Sequence, residues 1–173
     1  MHLKEGLFEI DLKLVKLGAR LAEDDRQCAW ELYTEMSTRV AVVGKLNDPK
    51  CKNFDGENYN ESLSSMYNFF QEARGIMRKF PVGRLSANKR NHLGVLINRM
   101  MRDVLRPFLE KWQGDYRHWW EHESDAKLPP FKRQAKYPHR EEFLRDWTSV
   151  RFLMRKVQEH LVEVYNLVDV HEQ

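Results

Sequence analysis

Two cysteines, six prolines and eight glycines are all that this chain of 173 residues contains of those types, and it has no long apolar run. Cys28 and Cys51 are too few for a disulfide framework or a cysteine-based zinc site. Cys28 falls in a helical pattern and Cys51 in a polar loop, so a reduced, cytoplasmic chain is expected. Sparse Gly and Pro disfavour an all-β sandwich, which needs many tight turns. Residues 1–5 have no apolar leader pattern, and no segment reaches the ~20 apolar residues of a membrane span, so no membrane partner is expected. Gly83 and Gly94 stand alone, so no glycine-rich phosphate loop is present, and neither Cys28 nor any serine sits in a nucleophile motif. No cofactor is expected. A di-iron bundle needs Glu-x-x-His on two helices. The residues three before His92, His118, His122, His139, His160 and His171 are Lys89, Asp115, Trp119, Lys136, Val157 and Val168, which disfavours that chemistry.

What is present favours helix. Leu, Glu, Arg, Lys and Met are abundant, and an apolar share of 42% against 32% charged residues suits one globular domain over residues 1–173. Residues 60–80 carry Leu63, Met66, Tyr67, Phe70, Ala73, Met77 and Phe80 at alternating three- and four-residue steps, with Asn60 as N-cap and Pro81 and Gly83 as the stop. Residues 25–44 repeat the pattern with Ala29, Leu32, Tyr33, Met36, Val40 and Val43; Asp24 or Asp25 suits the start and Gly44 the end. Residues 140–168 hold a seam of Phe143, Trp147, Val150, Met154, Val157, Leu161, Val164 and Val168, a rod of roughly 40 Å at about 1.5 Å per residue.

A further long helix is expected from Ser86 towards Glu121, with Leu93, Ile97, Met100, Val104 and Phe108 inward. Pro107 should kink it and Gly114 should end it or set off an aromatic tail. Residues 47–58 and 123–139 read as loops. The N-terminal segment fits two periods. Phe8, Ile10, Leu12 and Leu14 alternate as on a strand, whereas Leu3, Leu7, Ile10, Leu14, Leu17 and Leu21 follow a helical heptad; the composition tips the reading to helix. The expected fold is all-α: an antiparallel four-helix bundle with a kinked third helix and an N-terminal extra segment, helix or short strand.

Charge is unevenly distributed. Residues 1–73 sum to −4, residues 74–136 to +9 and residues 137–173 to −2. A basic middle between acidic ends suits a polyanion, or the acidic part of another copy. Arg99, Arg102 and Arg106 form a helical stripe opposite the apolar face, with Lys89 and Arg90 just before it, as a nucleic-acid footprint would require. A solvated face paired with the acids of other helices would look the same.

Residues 116–122 are the most chemical stretch. His118 and His122 stand one helical turn apart and offer two metal ligands, but Trp119 occupies the place where a zinc-protease helix has Glu. Arg117-x4-His122 resembles the Arg-x4–6-His signature of HEPN-type ribonucleases, helical bundles that cleave RNA without metal. The resemblance would make His122 the proton-handling group and Arg117 the phosphate contact. Arg155-x4-His160 and Arg133-x5-His139 match the same loose pattern. Trp112, Trp119 and Trp120 crowd one end; exposed, they would be anchors for a protein partner, and buried, part of a large-residue core.

Three runs, WELYTEMSTR at 30–39, SLSSMY at 62–67 continuing to Arg74, and VLRPFLEKW at 104–112, together resemble a group of bacterial helical proteins associated with conflict or defence gene neighbourhoods. The resemblance implies that Arg39, Pro107 and Trp112 belong to a shared framework, and it carries no catalytic residue. The expectation is a non-enzymatic interaction module, a homodimer or the partner of another protein. A nucleic-acid-binding or RNA-cleaving bundle is the alternative.

Overall fold

The computed structural model describes residues 2–12, 23–79 and 93–168, and over these the chain is predominantly helical with one small sheet. Ser86, Lys89 and Arg90 lie outside the described residues. The sheet is a hairpin of β1 (His2–Glu5) and β2 (Phe8–Asp11), antiparallel with Leu3 opposite Ile10 and Glu5 opposite Phe8. Over residues 2–11 the chain is therefore strand and not helix, while Leu14, Leu17 and Leu21 of the heptad lie outside the described residues. A helix would have placed Gly6 in its interior at about 1 kcal/mol. Instead Gly6, at φ 60°, makes the two-residue turn, where a positive φ suits the twist of a hairpin. A Cβ on Gly6 would also lie 2.8 Å from Ser149 Oγ, so the turn approaches the last helix closely. Period two decides burial: Phe8, Ile10 and Leu12 are buried and Leu7 is exposed.

Helix α1 (Glu23–Ser37) buries Cys28, Ala29, Leu32, Tyr33 and Met36. Asp24 and Asp25 fall within this helix, one and two residues after its described start. The expected single helix to Gly44 is broken, because Ser37 Oγ and Thr38 Oγ1 donate to the carbonyls of Tyr33 and Thr34, at 2.7 and 2.9 Å. Such back-bonding competes with the next helical turn. The chain restarts as the single turn α2 (Val40–Val43), and Gly44 closes it at φ 75°.

Helix α3 (Tyr59–Lys79) is capped by Asn58, not Asn60: Asn58 Oδ1 accepts the Asn60 N–H at 3.1 Å. Its core face is Leu63, Met66, Phe69, Ala73 and Ile76, while Tyr67, Phe70 and Met77 of the expected stripe stand to one side.

The third long helix is continuous through α4 (Leu93–Arg99), a π-turn at Met100–Leu105, α5 (Arg106–His118) and a second π-turn at Trp119–Glu123. All five expected inward residues, from Leu93 to Phe108, are buried. Where a kink was expected, the helix widens: the Arg106 N–H reaches the Met101 carbonyl, five residues back. Pro107 has no N–H to give Asp103, and its ring needs the space that a wider turn provides. Gly114 lies inside α5 and does not end it.

Within the expected loop 123–139 lies a short helix, α6 (Pro130–Gln134). Its Gln134 is buried and bridges to the start of α3, accepting the Tyr59 N–H at 3.0 Å and donating to the Glu57 carbonyl at 2.8 Å. Helix α7 (Arg140–Tyr165) ends at Asn166 in the left-handed region, so Val168 lies beyond it and is exposed. The rest of its seam is buried. Helix α3 packs against α1 on one side and the third helix on the other; α7 packs against α1, α2, the third helix and the hairpin.

One face of α7 also holds the loop 44–58. Trp147, Arg151 and Arg155 follow each other by one helical turn. Trp147 Nε1 donates to the Ala41 carbonyl at 2.8 Å, and Arg155 donates to the carbonyls of Val43, Lys45 and Asp48 at 3.0, 2.7 and 2.6 Å. Arg151 is fully buried between the rings of Phe54 and Trp147, 4.2 and 4.7 Å from their centroids, and donates to the Glu57 carboxylate. Cys51, expected in a polar loop, is buried beneath this clamp.

Candidate functional site

The residues of α3 that miss the core build a groove. Tyr67, Phe70 and Met77 recur at three- and seven-residue steps on the flank facing the third helix, which contributes Met101 and Leu109. Together they floor an open groove of about 640 Å³, rimmed by Arg74, Arg102, Arg106, Glu110, Asn98 and Gln113. The π-turn contributes Met101 and Arg102 to this groove. Tyr67 remains 43% exposed, so its ring is open to a partner at the edge of the groove.

The rim is basic but partly neutralised. Arg102 binds the Asp103 carboxylate at 2.6 and 2.8 Å, and Arg106 binds Glu110 at 2.7 Å; these hydrogen bonds push both guanidinium pKa values up. Arg74 lies 6.0 Å from the Phe70 ring and donates to Gln71 at 3.5 Å. Among the described residues no carboxylate lies within ion-pair distance of it.

A second, smaller groove of about 430 Å³ runs along the other flank of α3, against α1. It is lined by Trp30, Glu31, Glu35, Glu72, Ile76 and Lys79, among others. Trp30 is 37% exposed and stacks on Tyr33, with centroids 5.5 Å apart. Glu35 accepts from Arg39 at 2.6 Å and Glu31 lies 3.6 Å from Lys79.

The residues singled out from sequence fall in different places. Arg99 turns to the hairpin, 3.5 Å from the Asp11 carboxylate and 3.3 Å from its backbone carbonyl, so it does not share the groove rim with Arg102 and Arg106. Trp112 and Trp119 are buried rather than exposed. Trp112 Nε1 donates to Asp146 at 3.1 Å and its ring meets Phe143; Trp119 packs on Tyr116 and Tyr137. Trp120 is half-buried, with the Arg133 guanidinium 3.8 Å above it. His118 and His122 stand together on the surface, their rings 5.0 Å apart, and His118 Nε2 is 3.3 Å from Glu123. Among the described residues no group of three or more His, Cys, Asp and Glu could hold a metal ion. Arg117 lines a shallow hollow with Ser64, Tyr67 and Gln113, whereas His122 faces His118 and Glu121.

Periodicity alone puts Tyr67, Phe70 and Met77 on the same stripe as the core residues Leu63, Met66 and Ala73. The available signal was the breadth of the α3 stripe, which is wider than one helix contact needs. No helix among the described residues is long and apolar enough to cross a membrane. Comparison of the chain with protein families, curated proteins and solved structures finds no match.

Proposed function

We propose that this chain is a non-enzymatic interaction module, a four-helix bundle that docks a protein helix in the groove between α3 and α5. The observation that carries this reading is the apolar floor of Tyr67, Phe70, Met77, Met101 and Leu109 beneath a rim of three arginines. An amphipathic helix lays its apolar stripe into such a groove, and acidic residues on its flanks meet the arginines. Arginine beside aromatic and methionine side chains is the composition of a binding hot spot.

A nucleic-acid footprint is less favoured. Arg99 and Arg106 are each engaged by a carboxylate, as is Arg102, and the floor between them is apolar. RNA cleavage by Arg117 and His122 is less favoured still, since the two side chains have different neighbours.

Fluorescence anisotropy tests the choice, using an acidic amphipathic helical peptide (Leu and Met on one face, Glu on the flanks) and a single-stranded RNA oligonucleotide. Peptide binding that F70S/M77S abolishes is the expected result. Salt-dependent RNA binding with no peptide binding would overturn the proposal.

A further inference from the structure

The two grooves that flank α3 are opposites. Among the described residues, the charged groups lining the α3–α5 groove are Arg74, Arg102, Arg106 and Glu110; those lining the α1–α3 groove are Glu31, Glu35, Glu72 and Lys79. Three cations with one anion thus face three anions with one cation across the width of a single helix. Each groove also presents an exposed aromatic, Tyr67 in the first and Trp30 in the second.

We infer that the basic groove is covered by the acidic α1–α3 groove of a second copy of this chain, in a two-fold dimer whose α3 helices run parallel. This rests on reading the α3–α5 groove as a docking surface. Symmetry and charge fix the orientation. A two-fold axis along α3 exchanges left and right, so the acidic groove of each copy falls on the basic groove of the other, and both pairings form at once. A two-fold axis across α3 preserves left and right, and would stack acid on acid and base on base. A contact of this closed kind is self-complementary and cannot grow into a fibre.

The available area suits a modest dimer. Helix α3 has 21 residues, about 30 Å of length, and three helices spaced about 9 Å apart make a face some 20 Å wide. That is on the order of 600 Å² per copy, at the low edge of specific interfaces, so association should depend on concentration and salt.

Sedimentation velocity over a range of protein concentrations at low and high salt measures the association. The expected result is a dimer that dissociates as salt rises. R74E/R106E makes both grooves acidic and should be monomeric; E31K/E72K makes both basic and should also be monomeric. Mixed, the two variants should form a heterodimer, which shows at the same time that both fold. Orientation is read by oxidative crosslinking at the exposed ridge of α3. S64C alone and R78C alone should each crosslink to themselves, because parallel helices bring like positions together. Crosslinking only when the two are mixed would overturn the parallel arrangement. A chain monomeric at every concentration while the acidic peptide still binds the groove would overturn the dimer and leave the docking function standing. A dimer unaffected by either charge reversal would overturn the groove pairing.

Discussion

Replacing Arg151 with methionine removes the one fully buried cation among the described residues and strands what it holds. The Arg151 side chain is 0% exposed and that of its partner Glu57 10% exposed. Burial pushes the guanidinium pKa down, but a guanidinium remains charged at any physiological pH. After the substitution the Glu57 carboxylate keeps a single hydrogen bond, from Ser62 Oγ at 3.2 Å; its other oxygen is buried and already has no partner. The Ala41 carbonyl loses its bond from Arg151 Nε at 3.3 Å but keeps the one from Trp147 Nε1 at 2.8 Å. Methionine fills the space between Phe54 and Trp147, so little cavity forms, and the uncompensated charge dominates. Breaking a buried pair on one side costs about 3–5 kcal/mol. For a chain of this size that lowers the melting temperature by roughly 6–20 °C. Glu57→Gln alone should cost a comparable amount by leaving the guanidinium uncompensated. The double variant R151M/E57Q removes both charges and should return to within about 1 kcal/mol of the wild type. Urea unfolding followed by tryptophan fluorescence measures all three, and Trp147 beside Arg151 reports on the site. A cost for R151M below about 1 kcal/mol, or a double variant equal to the sum of the singles, would refute the reasoning.

Three further outcomes are expected. Burial lowers the His160 pKa, so the native state keeps the ring neutral while the unfolded chain takes up its proton near pH 6.5; the stability present above that pH is lost as pH falls through it. H160Q should therefore flatten the fall in urea midpoint from about pH 6.5 to 5, and an unchanged slope would count against it. Burial raises the phenol pKa values of Tyr116, Tyr137 and Tyr165, and the Asp115 carboxylate adds to the effect on Tyr137. Phenolate absorbance during alkaline titration should show these three of the six tyrosines ionising only with unfolding, and smooth ionisation of all six near pH 10 would contradict this. Cys28 and Cys51 are both buried, and burial raises the pKa of Cys51. Neither should react with a thiol reagent until denaturant is added; rapid labelling of one in the native protein would show that its cover opens.

The seams of the long helices were legible because burial on a helix repeats with the helical turn. Phe143 to Val164 and Leu93 to Phe108 lie where period alone puts them. Local chemistry read one residue at a time was less decisive. Ser37 and Thr38 broke a helix that the apolar spacing continued, and Asn58 took the cap assigned to Asn60, because both outcomes depend on small competing hydrogen bonds. At the N-terminus two periods fitted equally well. The choice fell to the hairpin once β2 could pack Phe8 and Ile10 against the third helix and α7, a contact between residues far apart in sequence.

The candidate site was legible only as ingredients. A basic middle, acidic ends and an excess of large aromatics were visible, but which arginine faces which neighbour was not. Arg99, Arg102 and Arg106 are equivalent in sequence; the hairpin's Asp11 claims the first and the groove keeps the other two. Helicity, and the faces of α7 and the third helix that turn inward, could be read from the residues alone, since periodicity is a local property of the chain. That α3 carries more apolar surface than its neighbours among the described residues cover, that this excess lies under arginines, and that glutamates line its opposite flank come from the packing of the helices. Those facts depend on the distances between helices, which no spacing along one of them encodes.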